Sequence, residues 1–249
     1  MAGEPSINTF GQFELHPLLG SMGKALCFSQ APLYMMISVG VVLAFLYYGI
    51  KPAAIVPGRF QASVEMSYEF IHDMTMDAIG SDGIAYFPFI FALFFFILAG
   101  NYIGLLPYQY TFTSHIAITF ALAVATFTLA IVVSIKNQGL RFFAHFMPEG
   151  VSLFLAPLLV PIEILTFLSR PVSLAIRLFA NMVAGHVMFD IFGAFVVMLA
   201  GFGVVGDVCA IGPVALNVAL MAFELLVGVL QAYVFAILAC IYLREAVAH

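Results

Sequence analysis

Five long, predominantly apolar stretches dominate this chain of 249 residues: Ala31–Ile50, Ile84–Pro107, Phe112–Ile135, Pro171–Ala200 and Gly212–Leu243. Each supplies the ~20 residues that a helix needs to cross ~30 Å of hydrocarbon at ~1.5 Å per residue. Only 8% of the residues are charged and 64% are apolar, against about 25% charged in an average soluble domain. So few ions cannot cover a water-soluble globule of this size. Lipid is the solvent for most of the chain. No stretch alternates like the strands of a membrane barrel, so the fold class is all-α, a polytopic membrane protein with about five crossing helices.

Eight Lys and Arg against thirteen Asp and Glu give a net charge of −5, and no basic cluster stands out. That excludes a nucleic-acid partner, which needs a basic footprint. Cys27, Cys209 and Cys240 have no metal-ligand spacing and read as small hydrophobes. No cleaved secretory signal is expected. Residues 1–30 carry Glu4, Glu14 and a single Lys24 where a signal peptide has a basic start, and they read as a polar tail. Residues 31–249 form one membrane domain.

The basic residues fix an expected topology. Lys51 and Arg59 follow the first span, Lys136 and Arg141 the third, and Arg244 the fifth, while Arg170 precedes the fourth. The connections Tyr108–Thr111 and Gly201–Pro213 have no Lys or Arg. The positive-inside rule then puts the N-terminus outside and the C-terminus in the cytoplasm. Both flanks of 151–169 fall on the inner side, and this run contains Pro157, Pro161 and Glu163. It is expected to dip in or lie flat rather than cross. Residues 57–80 repeat acids at Glu65, Glu69 and Asp73, the pattern of an amphipathic helix on the inner surface. The spans 171–200 and 212–243 would be roughly 45–48 Å long as helices. They are expected to tilt strongly, as a hairpin.

Ionisable groups inside a membrane cost about 2.5–3.5 kcal/mol each on insertion scales and mark function by default. Here they gather in the last two spans. Ser173, Arg177 and Asn181 share one helical face; His186 lies about half a turn round from Arg177, and Asp190 follows His186 by one turn. Asn217, Glu224 and Gln231 recur every seven residues and form one stripe, with Gly228 leaving a gap beside it. Arg177 and His186 on the preceding helix are the expected partners of that stripe. A structural ion pair between Arg177 and Glu224 is one reading. The other is a hydrated proton path, in which histidine and a carboxylate relay protons while Arg177, always charged, acts as a barrier.

Weaker patterns are set aside. Gly201–Gly206 matches a dinucleotide fingerprint without the strand that should precede it. Gly100 and Gly104 form a GxxxG motif suited to helix packing. His186 and Asp190 have metal-ligand spacing but no further ligand, so no metal and no cofactor is expected. Asn101 and His115 read as helix-end anchors.

The stretch Leu168-Ser-Arg-Pro-Val-Ser-Leu-Ala-Ile-Arg-Leu-Phe-Ala-Asn-Met-Val-Ala-Gly-His186 resembles the a subunit of the F-type ATP synthase. Asn101-Tyr-Ile-Gly-Leu-Leu-Pro107, Pro161-Ile-Glu-Ile-Leu165 and Gln231-Ala-Tyr-Val-Phe235 support the resemblance, which covers roughly residues 31–245. It implies a non-catalytic stator that packs its two long helices against a rotating c-subunit ring, with b-type peripheral-stalk subunits as further partners. Arg177 falls on the family's essential arginine between two half-channels. Asn181, His186, Glu224 and Gln231 fall on positions lining the outer path or flanking the arginine, and Glu163 on an acidic position of the inner path. Many bacterial members have an acid where this chain has His186 and a histidine where it has Glu224; here the two are exchanged, as in the mitochondrial branch, which suggests facing side chains.

Protons are the expected ion, in a bacterial inner membrane, with a mitochondrial one as the second choice. The competing function is a secondary transporter with a substrate site at Arg177, which would call for internal repeats that are not visible.

Overall fold

The computed structural model describes residues 30–51, 57–106, 111–139 and 156–247. Among them are six α-helices: α1 (Gln30–Ile50), α2 (Arg59–Ile79), α3 (Phe87–Gly104), α4 (Ile116–Gln138), α5 (Ala156–Ala200) and α6 (Val204–Val247). Short 3-10 turns at Ser81–Ala85 and Phe112–Ser114 precede α3 and α4. No strand occurs among the described residues. Five of the helices, all but α2, are long and apolar enough to cross a bilayer, so the protein is an all-α polytopic membrane protein. The polar tail 1–30 lies outside the described residues except for Gln30, as do 140–155.

The second half of α6 is the post around which the others gather. Ala232, Phe235, Ala236, Ala239, Cys240, Leu243 and Ala246 recur at three- and four-residue steps and are all at most 1% exposed. Helices in lipid gain nothing from hiding apolar surface, so they associate where small residues let backbones approach closely. The alanines of α6 provide that approach to Ile71 and Met74 of α2, Ile90, Leu93, Phe94 and Ile97 of α3, and Leu174, Ala175 and Leu178 of α5. Rings fill the remaining space: Phe70 of α2 meets Phe94 and Tyr233 at centroid distances of 6.4 and 5.9 Å. The acids Glu65, Glu69 and Asp73 stay exposed on the outer side of α2.

One boundary differs from the sequence reading. The expected break between 151–169 and 171–200 is absent: from Ala156 onward the two are a single 45-residue helix that runs through Pro161 and Pro171. Proline removes one rung of the backbone ladder and crowds the preceding turn; next to Pro171, the helix is also tied sideways to α6. Arg170 Nη1 donates to Glu245 Oε2 of α6 at 2.6 Å, and its guanidinium lies over the rings of Phe167 and Tyr242 at 5.9 and 5.7 Å. Pro171 itself is buried. The last span is likewise longer than 212–243, because α6 starts at Val204 and passes through Pro213.

The hairpin α5–α6 turns within Gly201–Gly203, where Gly203 takes φ +70°, a left-handed conformation that suits glycine. Helices of 45 and 44 residues have contour lengths of roughly 66–68 Å, about twice the hydrocarbon thickness. In the most apolar stretch of α5 only 6% of the residues are buried within the chain, so lipid or another protein must cover that stretch. The hairpin tip exposes Met188, Ile191, Phe195, Phe202, Val205, Val208 and Ile211. So apolar a tip cannot project into water, and the hairpin must slant to stay within the bilayer.

Substituting Ala236 by leucine should overpack the post and cost about 1–3 kcal/mol. Thermal unfolding in detergent should show Ala236→Leu clearly less stable than wild type, with Ile241→Leu on the exposed side of α6 close to wild type.

Candidate functional site: a polar line between the two long helices

Glu224 is 4% exposed in the middle of α6 and faces Gly185 of α5. A Cβ built on Gly185 would run into the Glu224 carboxyl group. The missing side chain at 185 is therefore the space that Glu224 occupies. Neither carboxyl oxygen has a hydrogen-bond partner among the described residues. Burying a carboxyl without partners costs several kcal/mol, which makes this group a natural station for a proton or a water molecule.

Around it, the helices meet through polar contacts. Asn101 of α3 is fully buried, and its Nδ2 donates to the Gly228 carbonyl oxygen at 3.1 Å, one turn beyond Glu224. Its Oδ1 has no hydrogen-bond partner among the described residues. The gap at Gly228 is filled by Asn101 and Tyr102, whose carbons would lie 3.4–3.8 Å from an added Cβ. Asn101, in the last turn of α3, is thus an anchor that ties this helix end to α6.

His186, next to Gly185, does not hydrogen-bond Glu224. Its Nε2 lies 2.8 Å from Thr111 Oγ1, and that hydroxyl lies 3.0 Å from the Gly104 carbonyl oxygen. The expected acid–imidazole contact is therefore replaced by one between the imidazole and the entry to α4. Asp190, one turn further along α5, is close enough for its charge to act on the imidazole. The GxxxG glycines of α3 serve this same junction: a Cβ at Gly100 would meet Phe112, and one at Gly104 would meet Thr111. They admit the 3-10 turn rather than a second helix. His115 stands at the N-terminal cap position of α4.

The remaining polar residues spread along the hairpin. Asn217, two turns before Glu224, is half-buried, with its Oδ1 enclosed and without a hydrogen-bond partner among the described residues. Gln231, two turns after Glu224, is buried. Arg177 and Ser173 are exposed, Asn181 half-buried. Arg177 has no hydrogen bond or ion pair among the described residues, so the structural pair with Glu224 is not formed. Glu163 is half-buried in the second turn of α5.

Arg177 is flanked one turn away by Ser173, Ala180 and Asn181 on the open side of α5, with Val172 and Ile176 also exposed nearby. Facing lipid, it would carry the full cost of an unpaired membrane charge. The arrangement therefore has two parts: a buried polar line around Glu224, and a fixed cation on an open face that lacks a counter-charge.

The family model described as ATP synthase A chain matches residues 32–244. The chain is 68% identical to an ATP synthase subunit a of Gluconacetobacter diazotrophicus and 64% identical to that of Gluconobacter oxydans, over the whole of both chains in each case. It is 44% identical to the ATP synthase subunit a of Rhodospirillum rubrum, covering 95% of this chain and 96% of that one.

The close approach at Gly185 is testable on stability alone. Gly185→Ala should displace the Glu224 carboxyl and cost about 1–3 kcal/mol, read as a lower melting temperature. Gly193→Ala, where an added Cβ meets nothing within 4 Å, should be neutral or stabilising by up to about 1 kcal/mol from helix propensity.

Proposed function

The chain belongs to the ATP synthase A chain family, and from that premise we propose that it carries protons through two offset half-channels separated by Arg177. It is a non-catalytic membrane-sector subunit of the ATP synthase, and its work is ion transport rather than bond chemistry. The outer half-channel runs along Asp190, His186, Asn217, Glu224, Asn181 and Gln231. The inner one passes Glu163. Between them, Arg177 and Ser173 face a c-subunit ring whose carboxylate carries each proton for nearly one turn.

The observation that carries this reading is the exposed Arg177 with no counter-charge of its own. A rotor carboxylate arriving at that face would supply the missing charge. The attraction would favour the ionised carboxylate, so the rotor gives up its proton on arrival at the arginine. Because a guanidinium does not release its own proton near neutral pH, it also interrupts any continuous proton wire. That interruption is what couples flow to rotation: a proton crossing 100 mV yields about 2.3 kcal/mol, and a direct leak would dissipate it.

Partners on this reading are the c ring, b-type peripheral-stalk subunits and the bilayer. The membrane is a bacterial inner membrane, with the N-terminus outside and the C-terminus in the cytoplasm. Supporting that orientation, Asn137 at the end of α4 donates to the Ala246 carbonyl oxygen at 3.4 Å, and Arg170 pairs with Glu245. The basic ends of α4 and α6 and the basic Arg170 of α5 thus meet at one side.

Proton flux in inverted vesicles holding the whole complex tests the proposal. Arg177→Ala should lose ATP-driven pumping and raise the passive leak. Glu224→Gln should slow translocation by about 10²-fold or more with no added leak. Normal pumping by Arg177→Ala would remove the barrier role.

A further inference from the structure

The contact between Thr111 and His186 bears on which nitrogen of the imidazole handles protons. A threonine hydroxyl has one hydrogen to donate and lone pairs to accept. Thr111 Oγ1 lies 3.0 Å from the Gly104 carbonyl oxygen and 2.8 Å from His186 Nε2. A carbonyl oxygen can only accept. If the hydroxyl hydrogen pointed to His186, two oxygens would face each other at 3.0 Å without a hydrogen between them. The hydrogen therefore goes to Gly104, and Nε2 must carry its own hydrogen and donate to Thr111.

The surroundings hold Thr111 firmly in this geometry. It is 5% exposed. Ser114 Oγ donates to the Thr111 carbonyl oxygen at 2.6 Å, and Phe112 packs where Gly100 has no side chain. Gly104 likewise lacks the Cβ that would push the Thr111 side chain away from the carbonyl. The hydroxyl is thus a rigid acceptor aimed at the ring, and ring orientation in a histidine is set by the hydrogen bond at the nitrogen that does not react.

We infer that Thr111 is a positioning residue of the proton path: it holds His186 as the Nε2–H tautomer and leaves Nδ1 as the atom that takes up and releases the proton. The Nε2–H···Oγ1 bond is the same in neutral imidazole and in imidazolium, so the ring can cycle between them without turning. This rests on the reading of His186 as a relay station.

The experiment measures passive proton flow, driven by a potassium diffusion potential, through vesicles of the membrane complex stripped of its catalytic sector. Flow is normalised to assembled complex. Thr111→Val keeps the shape and removes the hydroxyl; Thr111→Ser keeps the hydroxyl and removes the methyl that packs on Gly104. The expected result is a three- to tenfold loss in Thr111→Val, the population shift that losing one hydrogen bond brings, with Thr111→Ser recovering most of the flow. A packing role predicts the reverse order, and that result, or normal flow in Thr111→Val, overturns the inference. Should Thr111→Val not assemble, Thr111→Ala against Thr111→Ser gives the same contrast. His186→Gln separates the two levels, since glutamine can still donate to Thr111 but cannot carry a proton. Normal flow in His186→Gln would overturn both the relay and the inference built on it. Blocked flow there beside normal flow in Thr111→Val would overturn the inference alone.

Discussion

A fixed positive charge cannot rest on an uncovered apolar helix face in hydrocarbon, and most of this molecule's organisation answers to that constraint. Arg177 sits on the open side of α5, exposed together with Val172, Ile176 and Ala180 and with only the neutral Ser173 and Asn181 as polar neighbours one turn away. A side chain of variable charge could shed its proton to enter lipid; arginine cannot. On the proposed reading, the counter-charge comes from the rotor carboxylate. The same permanence that makes Arg177 costly makes it useful as a barrier on the proposed reading.

The two long helices divide their work along their length. Toward the C-terminus, α6 is an alanine-lined post that packs against α2, α3, α4 and α5 in one buried core. Toward the hairpin tip, both helices present apolar side chains outward with little cover. Glu224 lies at the transition, buried against Gly185 and one turn from the Asn101–Gly228 tie. The rigid half holds the acid in place, and the open half is left for another protein or lipid. Small residues serve both ends: the alanines of the post allow close helix packing, and the glycines at 104 and 185 leave room for Thr111 and Glu224.

The crossing helices and the polar stripe were legible in the sequence because both follow periodic rules. Twenty apolar residues in a row have one stable solution in lipid, and a seven-residue repeat of Asn217, Glu224 and Gln231 has one helical face. What the pattern could not supply were contacts between residues far apart in the chain. Nothing in the spacing links Arg170 to Glu245 or Asn101 to Gly228, although an asparagine inside an apolar run was itself a signal of a buried partner. Thr111 gave no signal at all, since threonine in a loop is ordinary. Pro157 and Pro161 suggested a segment apart from the next span because local rules penalise proline in a helix; the contacts of Arg170 with Tyr242 and Glu245, which tie the continuous helix sideways, come from the far end of α6. The partner of His186 was misread for the same reason, as the exchange with Glu224 suggested facing side chains while Thr111 holds the ring.

The central claim is that the face carrying Arg177 meets the rotor, and disulfide trapping in the assembled complex tests it most directly. With Cys27, Cys209 and Cys240 replaced, a cysteine beside the c-subunit carboxylate is paired in turn with Ser173→Cys, Ala180→Cys and Leu178→Cys. The first two are on the exposed side of α5, while Leu178 is fully buried in the chain's own core. The account predicts cross-links from positions 173 and 180 and none from 178. No cross-link from either exposed position in a complex that is fully assembled would contradict it.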